Sequence, residues 1–480
     1  MTPPLNRVRP GWTFVVTSIA LFMVTLDNLV VTTALPVIRV DLGADIESLQ
    51  WTVNAYTLTY AVFLLTGAAL GDRFGRRRVF AVGVAIFAAA SAAAALAPTI
   101  DALIVARAVQ GLGAAFVTPL SLTLLSDAVR EERRGLAIGA WSGISGLGVA
   151  LGPVVGGAIV EGISWQWIFW VNVPIALVLL PMSLRVLTES RGPNSALDLR
   201  GLVLAGVGLF GLTFGIVRAD TLGWGSTLVV SSIAGGLCVL FLFLRWQARV
   251  AQPMLPLRFF RSRQFSATNA VSFAMFFGVF GAIFFLSQFF QTVQGMSPLE
   301  SGIRVLPWTA MPIVVAPIAG ILSDRIGARP LMAVGLTLQA FAITWLTAVS
   351  EVDVAYTTLL PAFVAGGAGM ALVFAPAAHA VLESVRPVEA GQASGATNTI
   401  REVGGVFGVA VLATAFSAAG GYDSPQDFVD GVKAALPISA VVLAAGALVA
   451  LLVPGRSAAS ERRSEPARGT AAAHGSEIPA

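Results

Sequence analysis

Cysteine, histidine and charge are all scarce in this chain of 480 residues. The single cysteine, Cys238, cannot form an intramolecular disulfide, and the two histidines, His379 and His474, are too far apart in sequence to suggest a metal site. Only 12% of the residues are charged, whereas 56% are apolar. A soluble globule of this length does not need so many apolar residues to fill its core. The composition therefore predicts an all-α polytopic membrane protein.

Motifs for catalysis or nucleotide hydrolysis are also missing, because the sequence contains no Walker loop, nucleophile motif or metal cluster. An enzyme, an ATP-driven pump and a receptor with a signalling domain are therefore disfavoured. The isoelectric point of about 9.8 is compatible with nucleic acid binding, but membrane proteins collect arginine in their cytoplasmic loops. We expect no nucleic acid partner and no cofactor.

Fourteen apolar runs are long enough to cross a bilayer, which takes about 20 helical residues. The first run follows two arginines, as a signal peptide would, but it carries Asp27 and continues to Pro36, so we interpret it as an uncleaved helix. The runs lie near residues 12–36, 49–70, 79–97, 101–125, 135–160, 165–184, 199–218, 226–246, 266–290, 302–322, 331–349, 355–380, 394–418 and 434–453.

The distribution of basic residues predicts the orientation in the membrane. With a cytoplasmic N-terminus, most arginines fall in cytoplasmic loops or at cytoplasmic helix ends, and Arg107 and Arg401 lie within helices and are not counted. We therefore expect a multi-pass protein of the cell membrane with both termini in the cytoplasm, which also requires an even number of helices. The outer side holds only Arg39, Arg218, Arg304 and Lys433.

Two charged loops nearly repeat each other, A-A-L-G-D-R-F-G-R-R-R at Ala68–Arg78 and G-I-L-S-D-R-I-G-A-R-P at Gly320–Pro330. They are farther apart than six helices require, because the helix pair within 199–246 lies between them. The sequence thus predicts two related halves and an inserted pair. The residues of interest in these gating loops are Asp72, Arg73, Gly75, Arg76, Asp324 and Arg325.

This organisation divides the chain into four parts. We expect an N-terminal six-helix bundle at 1–190, an inserted pair of transmembrane helices at 191–250, a C-terminal six-helix bundle at 251–455 and a disordered cytoplasmic tail at 456–480. The basic loop 247–265 is predicted to lie at the membrane interface, between the pair and the second half.

The loop pattern G-x-x-x-D-R-x-G-R-R resembles the signature loop of the major facilitator superfamily, whose halves are structural repeats. This chain departs from it at Ala68, where the family has glycine. The resemblance implies the major facilitator fold, and the extra helix pair implies its fourteen-helix form.

Asp27 lies about midway along the first helix, where a carboxylate costs several kcal/mol unless it faces a cavity, meets a partner or takes a proton. The segment L-D-N-L-V-V-T-T-A-L-P resembles the first-helix signature of the fourteen-helix drug–proton antiporters, with departures at Leu29 and Thr32. By this resemblance Asp27 carries the proton. The alternative is a carboxylate that only braces helices.

Arg107 is the other deeply placed charge, and Gln110 follows it on the same face of the fourth helix. Arginine does not lose its proton in proteins, so it needs an anion, dipoles or water nearby. The stretch resembles the superfamily motif R-x-x-Q-G, which implies that Arg107 tunes the proton affinity of a carboxylate. A purely structural role is the alternative.

A stripe of glycines in the fifth helix allows another helix to approach closely. The segment G-V-A-L-G-P-V-V-G-G resembles the antiporter motif of superfamily exporters, a motif that uptake symporters generally lack. This resemblance favours export over the alternative, a proton-coupled uptake symporter of a small solute. The motif residues are Gly148, Gly152, Pro153, Gly156 and Gly157.

Phenylalanines at helical spacing in the ninth helix suggest a wide aromatic pocket for lipophilic cargo, although such residues usually face lipid or pack internally. We therefore predict a proton-coupled efflux transporter for lipophilic or amphiphilic drugs or antibiotics, working as a monomer by alternating access. The candidate lining residues are Asn54, Tyr56, Gln110, Phe277, Phe284, Gln288 and Gln291.

Overall fold

A computed structural model describes residues 10–191, 197–386 and 389–455, so the predicted tail 456–480 lies outside the described residues. Its main elements are fourteen helices, and α6 is broken at Val171 into Trp167–Trp170 and Asn172–Val186. The helices are α1 Pro10–Asp41, α2 Ile46–Phe74, α3 Arg76–Ala95, α4 Ile100–Ala128, α5 Glu131–Gly162, α6 Trp167–Val186, α7 Leu199–Leu222, α8 Thr227–Gln247, α9 Arg263–Thr292, α10 Pro298–Ile326, α11 Ala328–Val349, α12 Tyr356–Glu383, α13 Ala390–Ala419 and α14 Pro425–Ala450.

Among the described residues, thirteen helices are long and apolar enough to cross a membrane. The other is α5, of which only Gly146–Gly162 forms a shorter apolar stretch. A multi-pass, all-helical protein is thus confirmed. Because the connections between successive helices are short, the helices alternate in direction, and the two repeated loops fall at the same end of the bundle. We call this the basic end, and the other the opposite end.

Local capping signals set several helix boundaries. α10 begins with a capping box, in which the Glu300 amide donates to the Ser297 hydroxyl at 3.2 Å and the Ser297 amide donates to the Glu300 carboxylate at 3.0 Å. Asp45 caps α2 by accepting from the Ser48 amide at 2.8 Å. These caps fix where the helices start at the opposite end.

Helices α1–α6 and helices α9–α14, which we call the two halves, contact each other along two helix pairs. α5 packs against α10 on one side of the bundle, and α2 packs against α13 on the other. α7 of the inserted pair packs on α8 and also contacts both α2 and α13. Across this contact Arg218 of α7 pairs with Glu47 of α2 at 3.2 Å, and Thr414 of α13 donates to the Ile216 carbonyl at 3.1 Å. The inserted pair therefore lies across one junction between the halves, while the four-part division of the chain stays a prediction.

Candidate functional site

The Asp27 side chain lies at the centre of a buried hydrogen-bond network between α1, α4 and α6. Asp27 is only 2% exposed. Its carboxylate accepts hydrogen bonds from Arg107 Nη1 at 2.6 Å, from Gln110 Nε2 at 2.8 Å and from Asn172 Nδ2 at 2.8 Å. Gln110 also donates to the Ser91 hydroxyl at 2.8 Å. The predicted carboxylate is therefore paired and multiply hydrogen-bonded at membrane depth.

Arg107 is fully buried and has several partners besides Asp27. Its Nη1 donates to Gln110 Oε1 at 2.6 Å, its Nε donates to the Thr52 carbonyl at 3.3 Å, and its guanidinium carbon lies 4.2 Å from the centre of the Tyr56 ring. The contact with Gln110 confirms that the two residues share a face of α4. A buried guanidinium needs this many partners because water is excluded from it.

The pairing of Asp27 with Arg107 places two opposite charges in the interior of the helical bundle. Burial penalises both charges, so their attraction and the surrounding donors must offset the cost of removing them from water. Protonation of Asp27 would remove the counter-ion of Arg107. Among these contacts, only the dipoles of the Gln110 side chain and the Thr52 carbonyl would then stabilise the charge of Arg107. The network therefore ties α1 to α4 and α6 through the Asp27 side chain.

The glycine stripe of α5 packs against the part of α1 that carries Asp27. A Cβ atom at Gly152 would lie 2.8 Å from the Leu29 Cβ, and one at Gly156 would lie 2.9 Å from the Val30 carbonyl oxygen. Side chains at these positions would push α1 away, because real Cβ contacts are rarely so short. The α1 residues that face Gly148, Gly152 and Gly156 are Thr25, Leu29 and Val30, respectively.

A second contact surface of α5 interlocks with α10 toward the opposite end. A Cβ atom at Gly157 would clash with the Pro298 carbonyl oxygen, and one at Gly302 would clash with the carbonyl oxygen of Pro153. Each helix thus has a glycine at the point where the backbone of the other helix passes. These two close approaches join the halves in the structure, so α5 contacts both the Asp27 helix and the other half.

Side chains close the opposite end as well. Gln291 Nε2 donates to the Thr33 carbonyl at 2.8 Å, which connects α9 to α1. The Arg39 guanidinium carbon lies 3.9 Å from the centre of the Tyr422 ring, in the connection between α13 and α14. Cation–π contacts of this kind favour a close approach of the two halves.

Of the predicted lining residues, Tyr56 and Gln110 belong to the Asp27 network, and the others lie apart from it. Phe277 and Phe284 are 6% and 1% exposed and pack in the hydrophobic core. Gln288 Nε2 donates to the Phe284 carbonyl at 2.7 Å. Asn54 is fully buried, and its amide has no hydrogen-bond partner among the described residues. A role in lining the cargo site stays a prediction for all of them.

The first gating loop is held by a tight turn and ion pairs. Gly75 adopts φ 110°, a conformation that favours glycine, and its amide donates to the Gly71 carbonyl at 2.9 Å. Arg76 pairs with Asp72 at 2.9 Å and with Asp127 at the end of α4 at 2.6 Å. The loop therefore connects α2, α3 and α4 at the basic end.

The second gating loop repeats the same backbone turn. Gly327 adopts φ 85°, and its amide donates to the Ser323 carbonyl at 2.9 Å. Arg73 and Arg325, which correspond to each other in the two loops, are both exposed. The Asp324 side chain lies outside the described residues. The repeated turn agrees with two related halves.

Two groups in the centre of the protein were not among the predicted site residues. Asn172 donates a hydrogen bond to Asp27. It lies in the stretch W-I-F-W-V-N-V-P, and the only sequence feature that pointed to it was a polar amide among apolar residues. Glu402 of α13 has a buried carboxylate oxygen with no hydrogen-bond partner among the described residues. Arg401, beside it in sequence, and Tyr60 of α2 lie within electrostatic range of Glu402.

The helical architecture and the buried ion pair define a polytopic membrane transporter built from two halves. Comparison with known protein families then gives the assignment. The family described as "Major Facilitator Superfamily" matches residues 17–409 and 308–475 of this chain. The chain belongs to this superfamily. This membership confirms that the protein is a transporter rather than an enzyme and that it needs no cofactor.

Individual relatives cover most of the chain. The tetracenomycin C resistance and export protein of Streptomyces glaucescens is 36% identical over 408 residues, which are 85% of this chain and 76% of that protein. The puromycin resistance protein pur8 of Streptomyces alboniger is 36% identical over 454 residues, covering 92% and 90%. A bacterial homologue of the human lysosomal transporter Spinster has the same fold, with a TM-score of 0.64, 17% identity and coverage of 92% and 96%.

Proposed function

We propose that this transporter exports lipophilic or amphiphilic drugs or antibiotics in exchange for protons. The observation that carries the proposal is the buried Asp27–Arg107 pair, at 2.6 Å, because a carboxylate at membrane depth that can take and release a proton is what coupling requires. The names of the two Streptomyces relatives support an antibiotic as cargo.

In this proposal the transporter alternates between two states, and the proton and the cargo bind at different times. With Asp27 ionised, Arg107 holds α1 against α4. When Asp27 takes a proton from the outside, this attraction weakens and α1 can shift relative to α4 and along the glycine stripe of α5. Because α5 also interlocks with α10, a shift of α1 reaches the junction of the halves. Release of the proton to the cytoplasm restores the pair.

The energy of one proton is enough for a useful gradient of cargo. A proton that moves through a membrane potential of about 100 mV releases about 2.3 kcal/mol. Each tenfold gradient of a neutral compound costs about 1.4 kcal/mol. One proton therefore sustains a gradient of one to two powers of ten.

We propose that the basic end faces the cytoplasm, so that both termini lie on the cytoplasmic side of the cell membrane. The loops at this end carry Arg73, Arg76, Arg325 and Arg329, whereas few basic residues lie at the opposite end. A reporter fused at Ser460 should report the cytoplasm. A periplasmic signal there would contradict the orientation.

We also propose that Glu402 receives the positive charge of a cationic cargo. Asp27 is saturated by three donors, whereas Glu402 has a buried oxygen without a partner in the described part of the chain. The rings of Tyr56 and Tyr60, whose centroids are 6.1 Å apart, lie on α2, the helix that faces α13. A carboxylate near aromatic rings suits an amphiphilic cation.

Transport in inverted membrane vesicles tests the export assignment. Wild-type vesicles energised with a proton gradient should accumulate a fluorescent lipophilic cation such as ethidium, and collapse of the gradient should release it. Vesicles without the protein are the control. Accumulation driven by the gradient in right-side-out vesicles instead would show an uptake symporter and overturn the proposal.

In the same assay, Glu402→Gln should separate cationic from neutral cargo. We expect transport of ethidium to fall about tenfold or more, because a hydrogen bond to a charged group contributes about 1.5–3 kcal/mol. Transport of a neutral lipophilic drug should change less than about twofold. The matched control is Glu383→Gln, a partly exposed carboxylate at the basic end of α12. An equal loss for both cargos would argue against a role for Glu402 in cation recognition.

A further inference from the structure

An excess of arginine surrounds the basic end of the inserted pair. Six exposed arginines lie there or in the segment that leads into α9, whereas residues 197–263 contain only two acidic residues, Asp198 and Asp220. Asp220 lies in the last part of α7, at the opposite end. The six are Arg200, Arg245, Arg249, Arg258, Arg261 and Arg263.

The acidic groups near this end are already occupied by other donors. Asp198 accepts from the Gly201 amide at 2.8 Å, from Trp246 Nε1 at 2.7 Å and from Gln247 Nε2 at 2.5 Å. Three neutral donors thus take up its oxygens, and they tie the start of α7 to the end of α8. Among the described residues, no arginine forms an ion pair with this carboxylate.

Glu389, at the start of α13, is the other nearby carboxylate, and it pairs with Arg258 and Arg386. The hydrogen bond from Arg386 lowers the pKa of Glu389, so the carboxylate is charged at neutral pH. It therefore neutralises Arg258 rather than the arginines at the end of the inserted pair.

Of the five remaining arginines, three lie next to Trp246 in space or in sequence. The guanidinium carbon of Arg200 lies 5.2 Å from the centre of the Trp246 ring, Arg245 precedes this tryptophan, and Arg249 lies in the turn after α8. None of the three forms an ion pair with a described residue. A half-buried tryptophan next to arginines at the end of a membrane helix is typical of the headgroup region of a bilayer.

The apolar side chains above these arginines extend the same surface into the membrane. Leu237, Phe241 and Leu244 of α8 are 56%, 61% and 46% exposed. Their spacing of four and three residues places them along one stripe of the helix, leading to the arginines. The surface thus combines a cationic end with an apolar stripe of the kind an acyl chain can follow.

We propose that Arg200, Arg245 and Arg249 bind the phosphate of an anionic phospholipid in the leaflet at the basic end. The planar guanidinium groups match phosphate oxygens in a bidentate geometry. Trp246 lies at the level of the headgroup, and the acyl chains follow the stripe on α8. The lipid fixes the basic end of the inserted pair, whose only other polar anchor there among the described residues is the Asp198 network.

Native mass spectrometry of the purified protein, with either phosphatidylglycerol or phosphatidylcholine added, tests this site. Wild type should retain phosphatidylglycerol about tenfold better than phosphatidylcholine, because only the former carries net negative charge. The triple variant R200Q/R245Q/R249Q should lose this preference. The matched control R130Q/R185Q/R191Q removes the same charge from exposed arginines at the basic end of other helices, and it should keep the preference.

Several results would overturn the proposal. Equal retention of the two lipids by wild type, a comparison that needs no variant, would show that the patch has no headgroup preference. An equal loss in the control variant would show that the arginines act only as general positive charge. Displacement of phosphatidylglycerol by an equimolar amount of inorganic phosphate would assign the site to free phosphate rather than to lipid.

Discussion

Replacing Asp27 by asparagine should abolish drug-induced proton release from inverted vesicles. The amide cannot take and release a proton, and it leaves Arg107 buried beside a neutral group. Removing one partner of a buried ion pair typically costs about 3–5 kcal/mol, so the amount of inserted protein must be measured with the activity. Drug resistance conferred by the gene should fall to the level of the host without it.

Two variants separate loss of coupling from loss of folding. Asp27→Asn combined with Arg107→Gln removes both buried charges, so insertion should be at least as good as for the single variant while coupling stays absent. Asp41→Asn is the matched control on the same helix, because Asp41 lies at its end and accepts only from Trp165 Nε1, at 2.6 Å, among the contacts described. Unchanged proton release in Asp27→Asn would move the proton site elsewhere, and Glu402 would be the next candidate.

Asp27 and Arg107 were each predicted from the sequence as site residues, but their contact with each other was not predicted. Each is a charge inside an apolar run, which is costly enough to be noticed without a structure. They are 80 residues apart, and their 2.6 Å contact depends on how α1 packs against α4. Hydrophobic periodicity predicts that a helix exists and gives its approximate ends, whereas the neighbours of a given face are set by tertiary packing. The glycine stripe of α5 was likewise predicted from the spacing of residues within one helix. The helix that packs against it, α1, was not predicted, because that contact depends on tertiary packing.

Asn172 and Glu402 show where reasoning from sequence stops. Asn172 is an uncharged residue in an aromatic stretch, and nothing local distinguishes an amide that reaches Asp27 from one that bonds to its own helix. Glu402 follows Arg401 directly, which resembles a pair of charges that neutralise each other. Adjacent residues point about 100° apart on a helix, however, and Arg401 Nε, Arg401 Nη2 and Glu402 Oε2 have no hydrogen-bond partner among the described residues. The role of each residue becomes visible only from the side chains that surround it in the fold.

Replacing Gly152 by leucine should eliminate export while the protein is still inserted in the membrane. A Cβ atom at this position would lie 2.8 Å from Leu29 Cβ, two residues after Asp27, so α1 must move. Overpacking of this kind typically costs about 1–3 kcal/mol, which a protein of this size tolerates but which shifts the proton site. We expect the resistance to be lost and protons to leak through the protein in the absence of cargo, because α1 no longer seals against α5.

Gly143→Leu is the matched control on the same helix, since no described atom of another helix lies within 4 Å of a Cβ atom at Gly143. It should retain most of the export activity and should not leak protons. Proton flux into liposomes without cargo, normalised to the amount of reconstituted protein, gives the comparison. If Gly152→Leu and Gly143→Leu behave alike, the close contact of α5 with α1 does not control coupling. If only Gly152→Leu leaks, the stripe holds the Asp27 helix in the position that prevents a proton from crossing without cargo.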